Sequence, residues 1–457
     1  MPTLTHLTGS PMRVTAIDMH PDAPFRRLSC MNISRTARAA VFTIASVLAV
    51  AGCSSSHHTT STGSPPVSPA VSSAASAAVS SPAASSAPPV ISPPASSAAA
   101  VSPTQPPPVV APSASSTASL TGFRPASVTF VSATQGFVLG AQACTGTACG
   151  QGCASGSCAT LASSVDGGKT WTNIGALPAA LTGASPAITK VRFATASDGW
   201  AFDPQLWSTH DGGHTWTEQT TAGPVYDVEA SGGVAYALVA SCGTSPCIQG
   251  DRLLKTPVSS DGWTAISGPA LPDGFGSIAA HANTIWVVVS GGGTSTFDTI
   301  TGGTSWHRLA NPCATDLSLA GVAPVSTTQL FLLCAGDAGA GSETKAVLFS
   351  SDGGLHATAT SAAPARGGIA SGIAAASTAI VAVPASSGAS YVYRSADGGH
   401  TWATPLSQGD GGVGYYDVGF TTATQGVAVY GNPAVGNLST SLLMTHDGGA
   451  TWKPVTF

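Results

Sequence analysis

From Leu120 onward, apolar and polar residues alternate over short runs separated by glycine-containing breaks. Ser127-Val128-Thr129-Phe130 leads to Ala133-Thr134-Gln135-Gly136 and then to Phe137-Val138-Leu139-Gly140. Near the C-terminus the arrangement returns: Asp417-Val418-Gly419-Phe420, Ala423-Thr424-Gln425-Gly426, then Val427-Ala428-Val429-Tyr430. Lys190-Val191-Arg192-Phe193, Ser197-Asp198-Gly199 and Trp200-Ala201-Phe202 form another copy. A period of two with turn residues between runs predicts strand, turn, strand. No stretch of the head shows helical periodicity.

A second pattern punctuates the first. Ser395-Ala396-Asp397-Gly398-Gly399-His400-Thr401-Trp402 is matched closely at Ser164 to Trp171, Thr209 to Trp216 and Thr445 to Trp452. Weaker copies lie at Ser259 to Trp263, Thr299 to Trp306 and Ser350 to Ala357. The Asp side chain accepts hydrogen bonds from amides just ahead of it, and the glycines supply positive φ at low cost. That combination predicts a tight turn between two strands, with Trp opening the outgoing strand. Counted from Asp166, Asp211, Asp261, Thr301, Asp352, Asp397 and Asp447, the steps are 45, 50, 40, 51, 45 and 50 residues. A period in this range marks a repeat architecture. Each unit then reads as four antiparallel strands, and the units together as an all-β, seven-bladed β-propeller over residues 120–457. Six or eight blades are the alternatives, eight requiring a strand from Leu120 to Arg124.

The turn resembles the Asp-box (BNR) repeat of sialidases, sortilin-type receptors and other propellers. The likeness covers about the last 340 residues. Three copies depart from it: Thr301 replaces Asp, Ala357 replaces Trp, and the third lacks residues between Gly262 and Trp263. The resemblance implies a structural, peripheral role for the box aspartates Asp166, Asp211, Asp261, Asp352, Asp397 and Asp447. The layout is also similar to the seven-bladed photosystem II assembly factors, which act as protein-binding scaffolds through an arginine-rich face. This chain has too few arginines for that face, so their particular partner does not carry over.

Ahead of the head, composition changes twice. Arg35 and Arg38 precede the apolar run Ala39 to Ala51, which ends in Val50-Ala51-Gly52-Cys53. This is a secretory pattern over residues 31–52, with residues 1–30 expected to be a gene-model extension. Cys53 after Ala-Gly resembles the lipobox of bacterial lipoproteins, implying lipidation and an anchor on the outer face of the cell membrane. An ordinary secretory signal with a chance Cys is the alternative. Residues 54–119 are nearly all Ser, Ala, Pro, Val and Thr, with no Phe, Trp, Tyr, Asp, Glu, Lys or Arg. Such a stretch buries too little apolar surface to offset chain entropy, and residues 53–119 are expected to form a disordered stalk.

Eight further cysteines, Cys144, Cys149, Cys153, Cys158, Cys242, Cys247, Cys313 and Cys334, are an even number in an exported chain and predict disulfides. Zinc is the alternative for the first four, but their spacing matches no common knuckle and no His is near. No metal or cofactor is expected.

Charge removes one class of partner. Residues 53–457 hold 11 Lys+Arg against 19 Asp+Glu, with no basic stripe to meet phosphates, so nucleic acid is disfavoured. The candidate site is the funnel on the inner strands. Lys190, Asp227, Asp316 and Asp417 occupy near-equivalent repeat positions, with Arg192 and Glu229 two residues further along. Tyr415 and Tyr416 end an adjoining loop. These residues are read either as a binding surface for a polar ligand or as solvated channel lining. Sialidase chemistry is the enzymatic alternative. It needs an arginine triad, a Tyr–Glu pair and an acid Asp, and Phe123-Arg124-Pro125 lacks the middle residue of the usual arginine motif. Asp227 and Asp417 are the candidate pair for any other glycosidase. The expected function is a monomeric, non-catalytic surface lipoprotein presenting a propeller to a protein or glycan.

Overall fold

The computed structural model describes residues 119–143, 153–154, 157–181, 187–240, 252–268, 270–272, 275–291, 294–301, 306–432 and 440–457. The expectations for residues 1–118, including Cys53, and for Cys144, Cys149, Cys242 and Cys247 lie outside the described residues. Every regular element described is a strand.

The first sheet holds β1 (Arg124–Phe130), β2 (Gly136–Ala143), β3 (Cys153–Ala154), β4 (Ser157–Ser164) and β5 (Thr172–Ala176). The second holds β6 (Lys190–Phe193), β7 (Gly199–Phe202), β8 (Leu206–Thr209) and β9 (Thr217–Gln219). The third holds β10 (Val225–Ser231), β11 (Val234–Val239), β12 (Arg252–Pro257) and β13 (Thr264–Ala265). The fourth holds β14 (Phe275–His281), β15 (Thr284–Gly291), β16 (Thr294–Thr301) and β17 (Trp306–Leu309). The fifth holds β18 (Ser318–Pro324), β19 (Leu330–Ala335), β20 (Lys345–Ser350) and β21 (Thr358–Ala359). The sixth holds β22 (Ile369–Ala370), β23 (Ala374–Ala375), β24 (Val381–Ser395) and β25 (Ala403–Gly411). The last holds β26 (Tyr415–Phe420), β27 (Gly426–Tyr430), β28 (Ser441–Thr445) and β29 (Lys453–Pro454).

All pairings within these sheets are antiparallel, and six of the sheets are four-stranded. The expectation of seven four-stranded blades is therefore corrected to six four-stranded sheets, the first sheet having five strands instead. The first sheet carries a fifth strand because the cysteine-rich segment folds back on itself. There Cys153 and Cys158 face each other across β3 and β4 and are joined by a disulfide. The sixth sheet is also irregular. Its inner strand is split into β22 and β23, both pairing the first half of β24, while β25 pairs the second half.

The inner strands touch in a closed cycle: β1, β6, β10, β14, β18, β23, β26 and back to β1. This makes the sheets a β-propeller. Each seam between sheets has its own apolar cluster. Leu139, Leu161 and Val191 fill the first seam, Trp200, Phe202 and Val228 the second, and Trp286, Leu332 and Leu348 the fourth. A fully buried Leu or Val contributes about 1.5–3 kcal/mol, so the seams dominate stability. The ring closes without an exchanged strand. Phe123 lies 4.7 Å from Phe457, and Val128 and Val138 pack with Val427, Leu442 and Met444.

The box turns show why the motif recurs. In the first, Asp166 Oδ1 accepts from the amides of Lys169 and Thr170, at 3.0 and 2.9 Å, and Oδ2 accepts from the Thr170 hydroxyl at 2.6 Å. The Ser164 hydroxyl donates to Asp166 and accepts from the Gly168 amide, while Trp171 Nε1 donates to the Gly168 carbonyl. Gly167 and Gly168 have φ of 80° and 84°, the left-handed region that favours glycine. The Thr170 hydrogen bonds hold the Asp166 carboxyl down at about 2. Asp211, Asp397 and Asp447 repeat the arrangement with Thr215, Thr401 and Thr451. In the fifth box, His356 takes the place of that threonine, donating its amide to Asp352. Trp286 from the fourth sheet donates to the Gly353 carbonyl there, where the box's own Trp is replaced by Ala357. The third box departs most: Asp261 makes none of these turn bonds among the described contacts, and its carboxylate faces His210 of the second sheet.

Candidate functional site at the inner strands

Three of the four inner-strand positions aligned in the sequence, Lys190, Asp227 and Asp417, share one geometry, and Ser127 rather than Asp316 joins them. In the first and third sheets the inner strand is bulged, with the register shifting between Pro125 and Ser127 and between Val225 and Asp227. Ser127 and Asp227 are thus the same repeat position, and Asp417 and Lys190 stand in the matching places. Each reaches sideways to the inner strand of the next sheet. Asp417 Oδ2 accepts from the Ser127 hydroxyl at 2.5 Å and from the Val128 amide at 3.1 Å. Ser127 Oγ accepts from the Val191 amide at 3.1 Å. Lys190 Nζ, which can only donate, reaches the Tyr226 carbonyl at 3.1 Å instead. Asp227 Oδ2 accepts from the Ile278 amide at 2.9 Å. The result is a belt running from the last sheet through the first, second and third to the fourth.

Asp417 stands in the left-handed region, with φ of 45°. Asp tolerates that conformation better than most residues, and the bulge aims its carboxylate across the closing seam.

One step further along the strands, Arg192 Nε donates to Glu229 Oε1 at 2.8 Å, and Arg192 Nη1 donates to the Val191 carbonyl at 3.2 Å. The pair's side chains are 23% and 26% exposed, so both are half-buried. Burial works against the Arg192 charge, yet Glu229, then Asp417 and Asp227, hold it protonated more firmly than usual. The Glu229 carboxyl is pushed up, first by burial and then by Asp227, with Arg192 opposing. One guanidinium therefore contacts the Glu229 carboxylate and lies within the electrostatic reach of those of Asp227 and Asp417.

The other expected site residues fall elsewhere. Lys190 is also 3.4 Å from Asp203. Asp316 precedes β18, is exposed, and does not join the inner-strand group, because the chain turns at Ala314 to Leu317 before the strand begins. Tyr415 is 1% exposed, with its ring 5.3 Å from that of Tyr430 and tilted to it, so it is core, with burial pushing its hydroxyl up to about 12. Tyr416 is half-buried in the closing seam beside Val128 and Met444.

Sequence reasoning missed a group on the face formed by the connections between second and third strands and between sheets. Lys345 is 2% exposed, and its Nζ donates to the carbonyls of Ala365, Arg366, Gly367 and Gly368 at 3.4, 3.1, 3.1 and 2.7 Å. The Tyr393 hydroxyl donates to Gly367 as well, at 2.8 Å. Glu343, 4% exposed, accepts from the Ala370 amide at 2.5 Å. Burial lowers the Lys345 ammonium's proton affinity and raises that of Glu343, each partly offset by the other's charge. Residues 365–368 are thereby pinned, and exposed Arg366 is presented from a fixed backbone. Further round the same face, Asp410 accepts from the Gly412 amide and the Tyr430 hydroxyl, at 2.9 and 2.8 Å.

Cys313 and Cys334 are joined, tying the segment before β18 to the end of β19. The Cys153–Cys158 disulfide takes two sulfurs out of the zinc alternative. Among the described residues no three metal-ligating side chains converge.

No protein-family model and no curated protein matches this chain. Solved structures with a similar chain path include YCF48 bound to a D1 peptide, at a TM-score of 0.45 and 19% identity, covering 74% of this chain and 94% of that one. YCF48 from Cyanidioschyzon merolae follows at 0.39 and 19%, covering 58% and 83%. The GH74 enzyme of Niastella koreensis stands at 0.27 and 14%, covering 70% and 61%. No partner or activity is carried over from them.

Proposed function

We propose that this chain is a non-catalytic binding scaffold, exported and held at the cell surface through a lipid on Cys53, whose loop face engages a protein or glycan. The observation that carries the reading is the engagement of the inner carboxylates. A glycosidase needs two carboxyl groups flanking one bond and free to exchange protons. Asp227 and Asp417, the best-placed pair, accept backbone amides of neighbouring sheets instead. Glu229 is bonded to Arg192. The loop face, by contrast, is fixed in place by the Lys345 contacts and the Asp410 turn, which lowers the entropy a partner would otherwise have to offset.

The test is capture from cell-surface extracts by the full chain, compared between two variants on opposite faces. Arg366→Glu on the loop face is expected to lose the captured partner. His356→Ala on the box-turn face is expected to retain it. Loss in His356→Ala with retention in Arg366→Glu would place the partner on the wrong face for this reading.

A further inference from the structure

The third box has lost residues between Gly262 and Trp263, and this leaves the Asp261 carboxylate without its usual turn partners. His210, from the second box, reaches across the seam to it. His210 Nε2 lies 3.3 Å from Asp261 Oδ1, and His210 Nδ1 lies 2.8 Å from Asp198 Oδ1. Asp198 comes from the turn between β6 and β7, and its other oxygen accepts from the hydroxyls of Thr195 and Ser197 at 2.7 and 3.0 Å. Both ring nitrogens therefore face carboxylates, which only accept hydrogen bonds when ionised. A neutral imidazole has a single N–H. It satisfies one of these contacts and sets a lone pair against the other. The imidazolium satisfies both.

We propose that His210 is a proton-dependent latch between the second and third sheets: its imidazolium form joins Asp198 to Asp261, and loss of the proton frees the Asp261 turn. The shorter contact keeps the remaining proton, so Asp261 is the side released. The groups facing the ring are Asp198 from its own sheet's other turn and Asp261 from the next sheet. Asp211 beside it is taken up by Thr209 and Thr215, with His214 in the same turn. Those two acids raise the His210 proton affinity against the opposing effect of burial. A group raised in this way stabilises the fold fully below its unfolded value. The contribution is lost as pH rises through the folded value, so the latch opens as pH rises above the ordinary histidine range.

The test is a titration of the histidine rings by NMR in the full chain, with the His210 signal assigned by its loss in His210→Gln. His210 is expected to titrate above ordinary histidine, and Asp261→Asn to lower its proton affinity about tenfold, a shift of about one pH unit. Amide exchange in residues 259–263 is expected to gain several-fold with rising pH beyond that of the intact Asp447 turn, and to lose this excess in His210→Gln. If Asp261→Asn leaves the His210 titration in place, or the 259–263 turn exchanges like the Asp447 turn at every pH, the latch does not exist.

Discussion

Lys345→Ala is expected to destabilise the propeller by about 3–5 kcal/mol, the range for removing one partner from a buried charged network. The ammonium is almost wholly out of solvent and bonded to four consecutive carbonyls. Without it those carbonyls lose their shared donor, and Glu343 keeps a buried charge whose compensating cation has gone. Lys345→Arg is expected to fail as well, because a planar guanidinium cannot converge on a site built for a compact ammonium. Urea unfolding of the full chain checks this: the midpoint drops while the slope is kept. A change below about 1 kcal/mol would mean that water reaches the carbonyls and the lysine is dispensable. Under the proposed function the effect is expected to extend to partner capture, since Arg366 is one of the same four residues.

Loss of the Cys313–Cys334 bond is the second large effect. The two residues are 21 apart in sequence, and closing a loop of that length restricts the unfolded chain by about 3 kcal/mol. Cys334 is also fully buried in β19, so Cys334→Ser adds a hydroxyl among Trp286, Leu319 and Leu332. The paired Cys313→Ala/Cys334→Ala variant is expected to lose about 2–5 kcal/mol, with Cys334→Ser falling further still. Unfolding with and without reductant separates the two contributions. Reductant, which also opens Cys153–Cys158, lowers the parent's midpoint by more than it lowers that of the double alanine variant, and the excess is the share of Cys313–Cys334. Equal midpoints for parent and double variant would remove the disulfide from the stability account.

The parts of this molecule that could be read from the chain are those whose partners are close in sequence. The Asp166 turn is complete within Ser164 to Trp171, so its bonds follow from the motif alone. The alternation around Val191, Val228 and Val418 places Lys190, Asp227 and Asp417 at one repeat position, and the structure adds Ser127 to them in place of Asp316. Their roles were harder, because the partner of each lies in the next sheet. The Asp417 contact to Val128 spans 289 positions. Backbone acceptors carry no residue signature, which hid the Lys345 nest altogether. Asp316 falls outside the group because counting from the repeat crosses the Ala314 to Leu317 turn, and the extra strand β3 follows from a disulfide whose partner choice the spacing left open. Asp261 looked like one more box aspartate. The missing residues after Gly262 were the available sign that its carboxylate had been released for another use.

The central claim is that the carboxylates lining the inner strands hold the ring together and do no chemistry. The direct measurement is a paired one on the full chain: unfolding free energy and hydrolysis of fluorogenic sialosides and hexosides, for the parent and for Asp227→Ala and Asp417→Ala. The account predicts no turnover by any of the three, and a loss of about 1–3 kcal/mol in each variant from the orphaned amides of Ile278 and Val128. Turnover by the parent that disappears in both variants at unchanged stability would contradict it.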